Sequence, residues 1–329
     1  MKLGTIVAAC FAASALLAAN GHAQPQRGAA GAYPNKPVRL IVPFAPGGGA
    51  DIVARLVAQK LTETWGQQVV VDNRGGASTV IGTELAAKSP PDGYTLLQGT
   101  TTLAINPSVR SKLPYDTLKD LVPITQTAFQ TYILAVHQSV PARDVREFIA
   151  LAKSRPRTLN FGSPGTGTGS HLAAELFKFM SGTDTVHVPY KGSGPALSDL
   201  LGGQIQFIFG TTLSTFPHVK GGRLRALGVS SLKRAAALPD VPTIAEAGVP
   251  GYSATSWNGV LVPAGVPQSI LRKLNTDIVK VLRSVDVRDR LAGDGGEPVG
   301  NSAQEFGAFI RGEIEKWAKV IRAANIRVE

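Results

Sequence analysis

Cysteine is almost absent from this chain: Cys10 is the only one in 329 residues. It lies inside an N-terminal stretch with the grammar of a secretory signal. Cleavage after that stretch would leave a mature protein without disulfides or thiol chemistry. Long apolar runs are also missing beyond the N-terminus, so no later segment reads as a membrane span. The common catalytic signatures are missing too. There is no G-x-x-x-x-G-K-[ST] phosphate loop, no G-x-S-x-G nucleophile elbow and no H-E-x-x-H metal pair. Gly165, Gly167 and Gly169 spell G-x-G-x-G, not the dinucleotide fingerprint, and no signature acidic partner is evident. His137, His171, His187 and His218 are dispersed, and each reads as structural or surface, because a general base needs a positioned partner. His171 is the exception to watch, since it borders a glycine-rich turn. No stripe of basic and aromatic residues marks a nucleic-acid surface. These absences point to a protein without cofactor, metal site or catalytic residues.

The N-terminus carries Lys2, then a small apolar run from Leu3 to Ala19, then Gly21-His22-Ala23 with small residues at −3 and −1. This predicts a signal peptide over 1–23, cleaved before Gln24, and secretion of the mature chain. The apolar run falls short of the ~20 residues of a spanning helix. Val7-Ala8-Ala9-Cys10 resembles a lipoprotein box but lies too early. The mature chain of 306 residues suits two ordinary domains. Its net charge falls from +11 to +10 on loss of Lys2, a modest bias towards anionic ligands or a solubilising surface.

Two glycine-rich turns dominate what is present. One is Pro43-Phe44-Ala45-Pro46-Gly47-Gly48-Gly49-Ala50-Asp51; the other is Gly162-Ser163-Pro164-Gly165-Thr166-Gly167-Thr168-Gly169-Ser170. Each follows an apolar run and leads into a periodic helix. That is the local design of an anion site, with backbone N–H groups at a helix N-terminus facing a small negative group. Finding it twice, about 120 residues apart, predicts two lobes gripping one ligand.

The pattern around the turns is α/β. Val38–Val42 predicts a strand, and a helix follows to about Trp65, capped by Asp51, with Val53, Val57, Leu61 and Trp65 on one face. Val69–Val71, a helix over Val80–Lys88 and Tyr94–Leu97 complete β-α-β-α-β, the order of a parallel doubly wound sheet. The grammar restarts at Leu159–Phe161. There follow the second turn, a helix with Leu172, Leu176 and Phe179 on one face, and a strand over Val186–Pro189. A helix over Pro195–Leu201 and strands over Ile205–Ile208 and Leu224–Val229 come next. Ile270, Leu274, Ile278 and Val281 keep helical spacing, and Ser302 with Glu305 forms a capping box before a last amphipathic helix.

Several segments match one family in order along the chain. They are Tyr33-Pro34 with Lys36-Pro37, Pro43-Phe44 with Gly47-Gly48 and Asp51, and Leu113-Pro114-Tyr115-Asp116 with Lys119-Asp120. Further matches are Ser163–His171, Val188-Pro189-Tyr190-Lys191-Gly192, Leu238-Pro239-Asp240-Val241-Pro242-Thr243, and Trp257-Asn258-Gly259 before Pro263-Ala264-Gly265. On these residues the chain resembles the solute receptors of tripartite tricarboxylate transporters, the Bug-type periplasmic binding proteins. The resemblance implies a two-lobed type II periplasmic binding protein (Venus flytrap) fold, two doubly wound sheets joined by two crossing strands. The crossings would lie near Ile124–Val136 and Ser253–Val262. Lobe 1 would be 34–125 plus 256–329, and lobe 2 would be 126–255.

The resemblance also implies a site. Backbone around Phe44, Ala45, Pro46, Gly47 and Gly48 would hold a ligand carboxylate from one side. Ser163, Gly165, Thr166, Gly167, Thr168 and Ser170 would hold it from the other, with Phe44 packed on the ligand. Asp51 is either a helix cap or the group that orients the first turn. Thr101, Tyr190 and Lys191 follow strand ends that line the crevice of an open sheet, although Lys191 also fits a plain surface lysine. Phe129-Gln130 and Thr211-Thr212 are candidates for choosing the acid. The implied partners are a di-, tri- or aromatic carboxylate and a membrane permease with large and small subunits, the receptor itself being a monomer. Competing readings are a secreted α/β hydrolase or lyase, which a cleft serine or His171 paired with a base would favour, and an adaptor for a membrane sensor.

Overall fold

The computed structural model of the protein describes residues 33–323. The signal assigned to 1–23 and the last six positions lie outside the described residues.

The chain begins with β1 (Val38–Val42), α1 (Gly49–Trp65), β2 (Val69–Asn73), α2 (Val80–Ala87), β3 (Thr95–Thr100) and α3 (Thr101–Val109). A 17-residue strand, β4 (Leu121–His137), follows. The middle of the chain holds α4 (Val145–Ser154), β5 (Asn160–Ser163), α5 (Gly169–Ser181), β6 (Val186–Pro189), α6 (Ser193–Leu201), β7 (Phe207–Thr211), α7 (Thr212–Lys220) and β8 (Leu224–Val229). The chain closes with β9 (Thr255–Pro263), α8 (Gln268–Arg283), α9 (Val285–Gly293), β10 (Gly296–Pro298) and α10 (Ala303–Ala323).

The strands form one continuous path in the order β2-β1-β3-β9-β4-β7-β5-β6, with β8 and β10 attached to β4. β1 lies parallel between β2 and β3, and β5 lies parallel between β6 and β7. β4 joins these halves. From Leu121 to Thr131 it pairs antiparallel with β9, and from Tyr132 to Val136 with β7. Its partner changes between two adjacent residues.

Each half has its own core. Ile41, Leu97, Trp257, Phe306 and Trp317 pack in the first, Phe148, Phe161, Phe177, Phe207 and Tyr252 in the second. The expected helices and strands are present, and α3, α4, α7, α9 and β10 stand in addition to them. α3 was not legible in the sequence, because Thr101 to Asn106 are all buried and a helix buried all round shows no apolar stripe. Phe179 is 64% exposed, while Phe177 lies 1% exposed against Phe209; the buried face of α5 is turned so that Phe177 and not Phe179 meets β7. Asp51 does not cap α1: the helix starts at Gly49 with Gly48 as its cap, and Asp51 sits in the first turn.

α10 holds β9 in place. The buried Glu313 carboxylate accepts from the indole N–H of Trp257 on β9 (3.2 Å) and from that of Trp317 (3.1 Å), and Lys316 bonds its other oxygen at 2.8 Å. The pair of indoles needs this acceptor, since both rings are buried.

The second glycine turn is braced from below by two histidines. The Gly167 N–H donates to His171 Nδ1 (3.0 Å), so that nitrogen carries no proton. The His171 and His187 rings lie 4.0 Å apart between centroids, and His187 Nε2 bonds Ser163 Oγ at 2.6 Å. Burial, then His187 and Lys178, pull the His171 pKa down to about 3. Burial, then Lys178, bring His187 down to about 4.

Two outcomes are expected. Glu313→Ala leaves two buried indole donors unpaired and should cost on the order of 2–4 kcal/mol, read as a fall in Tm of the mature protein. The histidines are neutral when folded and titrate near 6.5 when unfolded. The unfolded state therefore binds more protons below that pH. Their contribution is complete above about pH 6.5 and is lost as pH falls towards about 4 and then 3. Tm should drop across that window, and His187→Gln should flatten the drop; parallel profiles for the two proteins would refute the assignment.

Candidate functional site

A small, narrow cavity of about 50 Å³ lies where the two sheet halves meet. Its walls are helix N-termini. Gly48, Gly49, Ala50 and Asp51 come from the start of α1, and Thr100, Thr101 and Thr102 from the start of α3. Thr168, Gly169 and Ser170 come from the start of α5, Ser193 from α6 and Thr211 from α7. The sheet explains the convergence: β1, β3, β5, β6 and β7 each run into their helix at the edge facing the cavity, so five N-termini meet there. Four of the caps, Gly48, Thr100, Gly192 and Thr211, make no side-chain capping bond. First-turn N–H groups at such ends lack intrahelical partners and carry partial positive charge.

Among the described residues no Lys, Arg or His lines the cavity, and Asp51 is the one acidic residue that does. Asp51 is committed to the first turn. Its carboxylate accepts from the Gly47 N–H (3.0 Å), Arg55 Nε (2.9 Å) and Asn73 Nδ2 (2.9 Å), and Asn73 also donates to the Phe44 carbonyl (3.0 Å). Burial pushes the Asp51 carboxyl up, but the bonds from Arg55, Gly47 and Asn73 outweigh it and hold the group below its ordinary value. It stays ionised and orients the turn.

The expected site residues separate into three groups. Phe44, Gly48, Asp51, Thr101, Thr168 and Ser170 line the cavity. Ala45, Pro46, Gly47 and Lys191 lie beside it, where the first turn meets the β6–α6 connection. There the Ala45 N–H donates to the Lys191 carbonyl at 2.9 Å. Gly192 and Gly194 permit this approach; a methyl group at Gly194 would collide with the Pro46 carbonyl. Ser163, Gly165, Thr166, Gly167 and Tyr190 are not on the cavity wall. Ser163 is sealed beneath the second turn with His187, and the Tyr190 hydroxyl donates to Asp199 at 2.6 Å.

Hydroxyls expected to face a ligand are already in use. Thr168 Oγ1 donates to the Gly165 carbonyl (2.7 Å), Ser170 Oγ donates to the Phe209 carbonyl (2.6 Å), and Thr101 Oγ1 accepts from the Trp257 N–H (3.1 Å). The polar groups left open are others. Thr100 Oγ1 and both amide atoms of Gln130 are buried without a partner. Tyr132, Ser256 and Asn258 complete the floor from β4 and β9. Sequence reasoning pointed to Gln130 and Thr211 only by neighbourhood. Ser193 and Ser256 carry no local signal, and Asn258 only its membership of the matched Trp257-Asn258-Gly259 segment.

The Ser163–His187 pair does not build a hydrolytic centre. Its serine is 1% exposed and off the cavity wall, and Ser163 Oγ also accepts from the Gly165 N–H at 3.1 Å. His171 accepts from backbone and lies off the wall as well. Among the described residues no group of three His, Cys, Asp or Glu side chains is placed to hold a metal ion.

Comparison with known proteins agrees with this geometry. The family model described as "Tripartite tricarboxylate transporter family receptor" matches residues 53–326. The protein BugT of Bordetella pertussis is 38% identical over 299 residues, covering 90% of this chain and 92% of BugT. Among solved structures, Rpa4515 of R. palustris with adipate superposes with a TM-score of 0.87 at 40% identity, covering 90% of this chain and 99% of that one. MatC (Rpa3494) from Rhodopseudomonas palustris with bound malate gives a TM-score of 0.84 at 31% identity, covering 88% and 100%. With its two α/β halves hung on β4 and a cavity of helix N-termini between them, this chain has the two-lobed binding-protein fold and belongs to the tripartite tricarboxylate transporter receptor family, the Bug-type solute receptors.

Proposed function

We propose that the mature protein is a periplasmic solute receptor that captures a small organic carboxylate in the interlobe cavity and delivers it to a membrane permease with large and small subunits. The observation that carries this reading is the convergence of five helix N-termini on one cavity that has no cationic side chain. Backbone N–H groups and helix dipoles there supply the positive field that an anion needs. Hydrogen bonds from several N–H groups to one charged oxygen pair are short and charge-assisted. The adipate- and malate-bound relatives support a di- or other small carboxylate as the ligand class.

In this reading Phe44 packs on the acid and the backbone N–H groups around Gly48, Thr101, Thr168 and Ser170 bind it, while Asp51 holds the first turn in shape. Ala45, Pro46, Gly47 and Lys191 form the closing seam. Residues 34–125 with 256–329 form one lobe and 126–255 the other, supported by the change of β4 partner between Thr131 and Tyr132. The lobes hinge at β4 and β9. Binding and release are the whole of the chemistry, with no covalent step, and the receptor works as a monomer.

The test is a thermal-shift screen of mature protein that has been unfolded and refolded to strip ligand. The panel holds aliphatic and aromatic mono-, di- and tricarboxylates together with amino acids and sugars. A ligand at about a hundred times its Kd stabilises the native state by about 2.7 kcal/mol, so one class of acid should raise Tm while the sugars do not. Silence from every acid, with the protein folded, would refute the assignment. A second check is Gly49→Ala. Its added methyl would meet Gln130 Oε1 at 2.8 Å and also Thr211 Oγ1, inside the cavity. Titration calorimetry with the best acid of the screen should show affinity weakened at least about tenfold, or about 1.4 kcal/mol; an unchanged Kd would place the ligand elsewhere.

A further inference from the structure

Among the described cavity residues, Gln130 and Thr100 have every functional side-chain atom unanswered, and only Gln130 offers both a donor and an acceptor atom. It is 1% exposed, and neither its amide oxygen nor its amide nitrogen has a partner. Exchanging the oxygen and nitrogen would not remove the problem, because either orientation presents one acceptor and one NH₂ donor. The side chain has little freedom to escape. Its backbone is held on both edges of β4, opposite Ser256 of β9 and Gly296 of β10. Its amide oxygen stands against Gly49, which has no side chain to answer it; a Cβ there would lie 2.8 Å from that oxygen. The hydroxyl of Thr100, which lines the same cavity, is also buried and unpaired.

A buried amide left unpaired carries its full desolvation penalty, so a bound state that satisfies it is favoured over one that does not. A carboxylate can accept from the amide nitrogen but has no hydrogen for the amide oxygen. A methyl end answers neither atom. A carboxamide answers both, by the paired donor and acceptor of two amides laid side by side. Resting on the receptor reading above, we infer that the ligand is a monocarboxylate whose far end is an uncharged group that both donates and accepts hydrogen bonds, a carboxamide in its simplest form, and that Gln130 is the residue that selects it. The carboxylate lies against the helix N-termini. The amide end lies at the hinge, one residue before β4 passes from the β9 half to the β7 half.

The adipate- and malate-bound relatives make the dicarboxylate the direct rival. The experiment is titration calorimetry of the refolded mature protein with matched straight-chain acids of equal length. Each carries one carboxylate and ends in a carboxamide, a second carboxylate or a methyl group. The carboxamide member should bind tightest, at least about tenfold tighter than its methyl-ended twin. Gln130→Leu should bring that ratio close to one, and Gln130→Met serves if the shorter side chain impairs folding. The ratio is read within one protein, so a general loss of stability does not mimic the result. A dicarboxylate that matches or exceeds the amide overturns the inference and leaves the receptor reading standing. So does a carboxamide no better than the methyl end, which would mean that a resident water answers Gln130. Failure of the whole series to bind, together with silence in the wider acid screen, overturns both.

Discussion

Everything in this molecule depends on β4 having two sets of partners. A strand holds its neighbours by a ladder that fixes spacing and direction. β4 gives its first ten or so residues to β9 and β10, and its last ones to β7 and β8. The register slips between Pro123 and Thr125, between Gln126 and Ala128, and again between Leu134 and Ala135. Such irregularities bend a strand and increase its twist. The two sheet halves are thereby turned so that the helix-bearing ends of both face a common space. Were β4 paired to one half only, the two glycine turns would have no reason to meet.

The cavity is electropositive without cations, and this has a structural cost that the fold meets in a particular way. Helix N-termini pointing at one another repel weakly and leave donors unpaired. The protein stiffens the loops that carry them with internal bonds. Asp51 ties Gly47, Arg55 and Asn73 together under the first turn. Thr168, Ser163, His171 and His187 do the same under the second. These side chains shape the site without forming most of its surface. A histidine pair held neutral by burial suits this task, because a charged ring there would break the bond from Gly167.

Much of the fold was legible because it follows local rules. Val38–Val42, α1, β2, α2, β5, β6, α6, β8 and the capped start of α10 all have periodicity, turn residues or a capping box in the sequence. The Ser302–Glu305 box is present, with Ser302 Oγ accepting from the Glu305 N–H at 3.2 Å and Glu305 accepting from the Ser302 N–H at 2.8 Å. α3 was hidden because it is buried on every side. The sequence leaves the buried face of α5 open, because Leu172, Leu176 and Phe179 satisfy helical spacing as well as the set that is buried; only the position of Phe209 decides between Phe177 and Phe179.

The sequence by itself determined that two glycine turns stand before helices, that the chain is α/β, and that its motifs are those of a carboxylate receptor family. Those properties depend on residues close together in the chain. The tertiary structure alone decided which polar groups remain open to a ligand. Thr168 and Ser170 look like ligand contacts in the sequence, yet Gly165 and Phe209 take their hydroxyl protons. Gln130 looks like any polar residue of a strand, yet it is the amide left unpaired at the cavity floor. Hydrogen-bond satisfaction is a property of the neighbours a side chain finds across the fold. Thr168 finds its partner within its own turn, but for Ser170 and Gln130 no local pattern encodes it, because their neighbours come from β7, β9 and α1, far apart in the chain.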